Sequence, residues 1–397
     1  MERRKFLKQS TLASSLFFVP SFVKAFENVA LNSLGFKKLV IIQLAGGNDG
    51  LNTIIPFTND IYYKNRPQLG IQKSNTLLLN DELGLNENLA PLKNLYDKGY
   101  VSIINNVGYP NPNRSHFRST DIWQTASESN EYLTSGWVGR YIDTYGKIPH
   151  AGIELDDSLS LIMKGEHLNG IATKDPAILF RNNQTPYFKK VLNYQSDAHL
   201  SDHNLGYLYK TMIEANSSAK YIYETTKTYS SNIEYPNNPF GKQLKTTAEF
   251  INSNLESKVY YVSMGGFDTH AGQINRQSKL LQTYAESIEI FVSDLEKSDT
   301  FKDTLILTFS EFGRRVKQNA ANGTDHGAAN NVFIVGKHLK TAGIYNEAPN
   351  LFELDGNGDI KYTVDFRSIY ATVLDKWLAV DDKTILNKSF SQLDLLG

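Results

Sequence analysis

The sequence predicts an α/β protein built on a mostly parallel sheet with helices on both faces. Two patterns carry that reading. Short, β-branched apolar runs recur and end in glycine-rich or polar turns. Segments of ten or more residues with apolar positions at helical spacing separate them. The length of 397 residues suits one large α/β unit with an insertion as well as two or three smaller domains. Apolar residues at 41% and charged residues at 21% are sufficient for a folded core. Lys plus Arg number 41 and Asp plus Glu 42, so the chain lacks the basic excess of a protein that binds nucleic acid. Cysteine is absent, which excludes disulfides, thiolate metal sites, iron–sulfur clusters and a Cys nucleophile.

The chain opens with Glu2-Arg3-Arg4-Lys5, then a short apolar run containing Leu16-Phe17-Phe18-Val19, then Val23-Lys24-Ala25. A charged stretch, a short apolar stretch and a small-residue site make an export signal. The paired arginines resemble a twin-arginine signal, so residues 1–25 are expected to be cleaved and residues 26–397 to form the mature protein. The apolar run falls short of the ~20 residues that span a bilayer. That favours export, to the periplasm or the exterior through the twin-arginine machinery, over a membrane anchor. No later stretch has 18 consecutive apolar residues, so no stable membrane span is expected in the mature chain.

Lys37–Leu44 reads as the first buried strand, and Val101–Val107 as the second. Ser115 to about Ser127 and Gly136–Tyr145 read as helices. The region from about 184 to 240 is rich in Tyr, Asn, Lys and Ser. It carries Leu205, Leu208, Met212 and Ile213 at helical spacing, as a helical insertion or cap would. Alternation then resumes, with a helix over 241–254, a strand over 258–264 and a long helix over 273–295. Strands over 304–309 and 331–335 and a last helix over 365–378 complete the pattern.

In an open parallel sheet, ligands bind beyond the carboxyl ends of the strands. The turns there read Gly46-Gly47-Asn48-Asp49-Gly50, then 111–121 (NPNRSHFRSTD), Gly265-Gly266-Phe267-Asp268-Thr269-His270 and Ser310-Glu311-Phe312-Gly313-Arg314-Arg315. Gly323-Thr324-Asp325-His326-Gly327 precedes the fifth strand. Each carries a carboxylate, a histidine or both. Such ligands suit Zn, Mn, Mg or Ca ions. Asp268, His270 and His326 have the ligand types of a catalytic zinc or manganese centre, and Asp49 with Glu311 those of a second ion. Two ions ~3.5–4 Å apart would clamp the attacking and leaving oxygens of an ester displacement.

Seven stretches in one order resemble the domain of unknown function 1501 family, exported bacterial proteins of the alkaline phosphatase-like superfamily. They are LAGGNDGLNT (44–53), NRSHFRSTDIWQTA (113–126), SGWVGRYID (135–143), GGFDTH (265–270), TFSEFGRR (308–315), TDHGAAN (324–330) and TVDFRSIYATVLDKWL (363–378). The resemblance implies an alkaline phosphatase-like sheet sandwiched between helices. It also implies a hydrolase of phosphate or related esters using one or two divalent ions. By position, Asp49, Asp268, His270, Glu311 and His326 match metal ligands. Ser115 matches the nucleophile at a helix N-terminus, with Ser119 or Thr120 as alternatives. Arg114 and Arg118 would neutralise the anion, and His116 would orient or protonate the leaving group. The expected ligand is a small anionic ester or a glycan.

The chain departs from the superfamily at Asp268-Thr269-His270, where Asp-x-x-x-His is usual, and at Glu311-Phe312, where Asp-His is usual. Phenylalanine ligates no metal, and His116 is the residue to fill that place. Ser115-His116-Phe117-Arg118 lacks the formylglycine pattern of sulfatases. The departures favour an alternative: a non-catalytic descendant of the fold that binds a glycan, an envelope component or an exported partner.

Other signals have structural explanations. Asp355-Gly356-Asn357-Gly358-Asp359 starts like a calcium loop but has Ile360 and Phe366 where Gly and Glu belong, so a tight turn is expected. Asp365 and Arg367 read as a helix cap with an ion pair. His199 and His203 read as surface residues, and His150, His167 and His338 have no recognisable partner in sequence. Neither a phosphate-binding loop nor a G-x-S-x-G elbow is present.

Overall fold

The computed structural model describes residues 37–186 and 204–397. The expected signal peptide, His199 and His203 lie outside them. Nine strands form the central sheet: β1 (Lys38–Leu44), β2 (Val101–Gly108), β3 (Gly152–Glu154), β4 (Ile171–Ala172), β5 (Val259–Met264), β6 (Thr304–Phe309), β7 (Asn330–Val335), β8 (Gly343–Ile344) and β9 (Val364–Asp365). Their spatial order is β8-β2-β7-β6-β1-β5-β3-β4, with β9 also pairing β2. All the pairs are parallel except those of β7, which runs antiparallel to β6 and β2. This is the expected α/β class with a mostly parallel sheet.

β1 lies between β5 and β6 and is buried along its whole length, as its uninterrupted apolar sequence requires. Val40, Ile42 and Leu44 join one core with residues of the helices Ala90–Asp97, Pro239–Asn252 and Gln273–Lys297. On the helices His116–Thr125 and Phe366–Thr372, Trp123 stacks at 4.7 Å on Phe309 of β6 and at 4.3 Å on Phe366. The helix Asn204–Thr226 falls within the expected insertion and buries Ala219 and Ile222.

The predicted elements stand within a few residues of their expected bounds. Periodicity missed β3, β4, β8 and β9, which are two or three residues long and too short for alternation to register. It also missed the ribbon Arg314–Gln318 with Thr324–His326, and a small sheet of Ile54–Ile55, Thr76–Leu78 and Gly84–Asn86. Among the described residues, no helix is long and apolar enough to cross a membrane.

Candidate metal centre at the carboxyl edge of the sheet

The direction of β7 assembles the site. Because β7 is antiparallel, the chain enters it at the edge where its neighbours end: Asn330 pairs with Val107, near the end of β2. His326, four residues before β7, therefore meets Asp268 from the turn after β5 and Glu311 from the turn after β6. His116 begins the helix that follows β2.

Three imidazoles converge on one carboxylate oxygen. Asp268 Oδ1 lies 3.4 Å from His116 Nε2, 3.0 Å from His270 Nε2 and 3.3 Å from His326 Nε2. The ligand atoms of His116, Asp268 and His326 all lie within 4.8 Å of one another. The opposite nitrogen of each ring is anchored: His116 Nδ1 to Glu311 Oε1 at 2.9 Å, His270 Nδ1 to Asp325 Oδ1 at 3.1 Å, and His326 Nδ1 to the Arg114 carbonyl at 2.7 Å. Each of these partners accepts a hydrogen bond, which in the neutral ring favours the tautomer with the hydrogen on Nδ1 and Nε2 free to ligate.

That arrangement fits a divalent cation. His270 Nε2 and His326 Nε2 stand only 2.9 Å apart, a repulsion between lone pairs that a shared proton or a cation bound beside both relieves. His116 Nε2 is buried and finds no hydrogen-bond partner among the described residues. Imidazole nitrogen with carboxylate oxygen is a donor set for zinc and its neighbours.

The electrostatics agree. Partial burial works against the Asp268 charge, yet the Arg314 guanidinium, 2.8 Å away, holds its carboxyl down at about 2. Burial lowers the His326 pKa, with the Arg314 charge acting in the same direction, which keeps its ring neutral and able to ligate. The hydrogen bond to Glu311 raises that of His116, so a cation bound at Nε2 would displace a proton there.

Glu311 serves as the orienting carboxylate. Its Oε1 accepts from the Gly46 amide at 2.8 Å as well as from His116. Gly46 has φ +117°, and a Cβ there would stand 2.4 Å from the Asp268 amide, so the close approach of these two turns requires glycine.

The remaining expected site residues lie elsewhere. Asp49 is 1% exposed, and its carboxylate pairs with Arg66 through two bonds of 2.6 and 3.0 Å and accepts from Gln273 and the Leu51 amide. The sequence suggested a ligand, whereas the fold makes Asp49 the anchor of its own turn. Arg114 is held by Asp355 and Asp359, and only its carbonyl reaches the cluster. Arg118 is buried, and its guanidinium donates to the carbonyls of Glu128, Ser129 and Glu131. Ser115 is exposed at the helix N-terminus and makes no side-chain capping bond. Ser119 is buried and bonds to the Glu311 carbonyl and Tyr109. Thr120 lines the adjoining cleft.

Phe312 packs its ring 4.8 Å from that of His116 and 4.7 Å from that of His326, so it braces the imidazoles where a further ligand was expected. Arg314 also joins the chain segments: it donates to the carbonyls of Gly46, Gly47, Phe267 and Thr324. Sequence reading assigned no part to Arg314, Asp325 or Arg66. Arg314 stands in a quoted motif, but its partners come from three separate turns.

The other signals resolve simply. Asp355 and Asp359 close a tight turn, with the Gly358 amide donating to the Asp355 carbonyl at 3.0 Å. Asp365 caps its helix and pairs with Arg367 at 2.7 Å. His150 is a core residue bonded to Ser218 at 2.9 Å. His167 and His338 are exposed.

The chain belongs to the family described as protein of unknown function (DUF1501), which matches residues 99–392. No curated relative matches it. Several solved structures are similar. The lipoteichoic acid synthase LtaP from Listeria monocytogenes is 9% identical, with 79% of this chain and 68% of that one covered and a TM-score of 0.37. The PsFucS1 sulfatase from Pseudoalteromonas sp. is 11% identical, with 94% and 73% covered and a TM-score of 0.39. A protein in the alkaline phosphatase superfamily from Vibrio parahaemolyticus is 10% identical, with 90% and 71% covered and a TM-score of 0.38.

Proposed function

We propose that the protein is an exported, metal-dependent hydrolase of phosphate or related esters. The observation that carries this reading is the convergence of three anchored imidazoles on Asp268 Oδ1. His116, Asp268, His270 and His326 would hold a divalent ion, with Glu311, Asp325 and the Arg114 carbonyl setting the ring tautomers. Such an ion supplies positive charge for the oxygens of an anionic ester. One ion accounts for these ligands, because Asp49 is paired with Arg66 and Phe312 stands beside Glu311. Arg314 adds a fixed positive charge at the back of the cluster. Ser115, exposed and adjacent to His116, is the proposed nucleophile, and the N-terminus of its helix favours the developing negative charge.

Phe312 and the internal pairing of Asp49 favour a second reading, in which the fold keeps at most one ion and binds a glycan, an envelope component or an exported partner without turnover. Only the hydrolase requires metal. Elemental analysis of the exported protein should find close to one Zn or Mn per chain, lost in His326→Ala. A phosphate- and sulfate-ester screen with Ser115→Ala as control then separates catalysis from binding. Absence of specific metal, including after reconstitution, would refute the hydrolase and favour the binding protein.

A further inference from the structure

A cleft of about 540 Å3 adjoins the cluster and crosses the carboxyl ends of β1, β5 and β3. That volume is within the range of small-molecule sites, ~300–1,000 Å3. His116, Asp268 and Glu311 stand at one end. Beyond them the lining changes chemistry, and among its described residues there is neither Lys nor Arg.

Its floor is a ladder of neutral polar groups. Gln124 Nε2 donates to Tyr261 Oη at 3.1 Å, Tyr261 donates to Gln43, and Gln43 Nε2 donates to Thr120 Oγ1 at 3.4 Å. These bonds hold the amides rigid and leave the Gln124 Oε1 acceptor and the Thr120 O–H donor without a partner in the ladder. Glu154, in register with Tyr261 across β3 and β5, closes the far side. Its Oε2 accepts from the Ser160 amide at 2.8 Å and the Ser160 hydroxyl at 3.0 Å. Burial raises the Glu154 carboxyl to about 7, so near neutrality it is in part an uncharged donor and acceptor. The neighbouring Asp156 is paired with Lys174 at 3.0 Å. Phe117, also in the lining, is 87% exposed and offers a flat apolar face.

An anionic group in this arm would meet Glu154 and Asp156, and Lys174, the cation paired with Asp156, lies outside the lining and is shared with Asp157. A purely apolar group would strip water from the amides without replacing their hydrogen bonds. An uncharged, hydroxyl-rich ring satisfies both kinds of surface: hydroxyls toward the ladder and Glu154, and C–H groups against Phe117. We propose that this arm of the cleft is a subsite for an uncharged sugar ring, the alcohol portion of the ester held at the cluster. The proposal rests on the ester reading for its catalytic meaning and on the cleft alone for binding.

Saturation-transfer NMR on the purified mature chain tests it. The probes are the neutral methyl glycosides of glucose, galactose, mannose and N-acetylglucosamine, with AMP and inorganic phosphate as anionic comparisons. At least one glycoside should receive saturation at millimolar concentration. The signal should fall at least fivefold in Phe117→Ala and Thr120→Val while the melting temperature holds. It should persist in His326→Ala. Absence of phosphate binding by the wild-type protein with the glycoside signal intact would count against the ester reading and for the subsite. No glycoside signal, stronger binding of AMP than of every glycoside, or full signal in both cleft variants would overturn the subsite.

Discussion

Replacing Asp49 by asparagine separates a metal ligand from a structural anchor. Arg66 uses all its donor directions inside the protein. Nη1 donates to Asp49 and Asn52 at 2.6 and 2.7 Å, Nη2 to Asp49 and the Arg315 carbonyl at 3.0 and 2.9 Å, and Nε to the Val316 carbonyl at 2.9 Å. Both side chains of the pair are essentially inaccessible to water. Asp49→Asn keeps the shape but removes the only carboxylate paired with Arg66 among the described residues. Removing one partner of a buried pair costs about 3–5 kcal/mol. With an unfolding entropy of about 2.1 cal/mol/K per residue and roughly 360 residues, that cost lowers Tm by about 4–7 °C. The assay is a thermal melt of wild type and variant at pH 7, with metal content measured on the same samples. The variant should melt earlier and keep its ion. An unchanged Tm with the ion lost would refute the reasoning and return Asp49 to the ligand set.

Two further predictions concern pH. Burial lowers the His150 pKa to about 4 from an ordinary 6.5, so the folded protein binds fewer protons than the unfolded chain between those values. The stability held above pH 6.5 should fall by up to about 3 kcal/mol on acidification to pH 4. Urea-denaturation free energies of wild type and His150→Gln across that range should differ in slope, and parallel curves would count against the assignment. Glu154 has the opposite sign, because burial raises its folded pKa to about 7 and stability is lost as pH rises from 4.5 through 7. Glu154→Gln should therefore stabilise by up to about 3 kcal/mol at pH 8 and be neutral near pH 4 in the same measurement. A gain at pH 4 as large as that at pH 8 would show that ionisation is not the cause.

The alternation of apolar runs and amphipathic stretches was sufficient to establish the α/β class and the longer elements. It works because a strand buried on both faces must be apolar throughout, whereas a surface helix must be apolar on one side only. The same logic pointed to the strand ends, and Asp268, His270, Glu311, His326 and His116 do meet there. Residue type could not say which atoms converge. Asp49 and Asp268 look alike in sequence, yet the fold pairs one with Arg66 in the interior and leaves the other half-exposed among imidazoles. Ser115, Ser119 and Thr120 are three hydroxyls on one short stretch. The 3.6-residue turn of the helix alone sends Ser119 into the protein and Thr120 to the cleft. The reversed direction of β7 brings His326 to the carboxyl edge. The bonds that anchor the three rings join residues 55 to 212 positions apart, and Arg314 reaches 268 positions back to Gly46. Only tertiary structure decides them, because no local pattern records contacts at that separation.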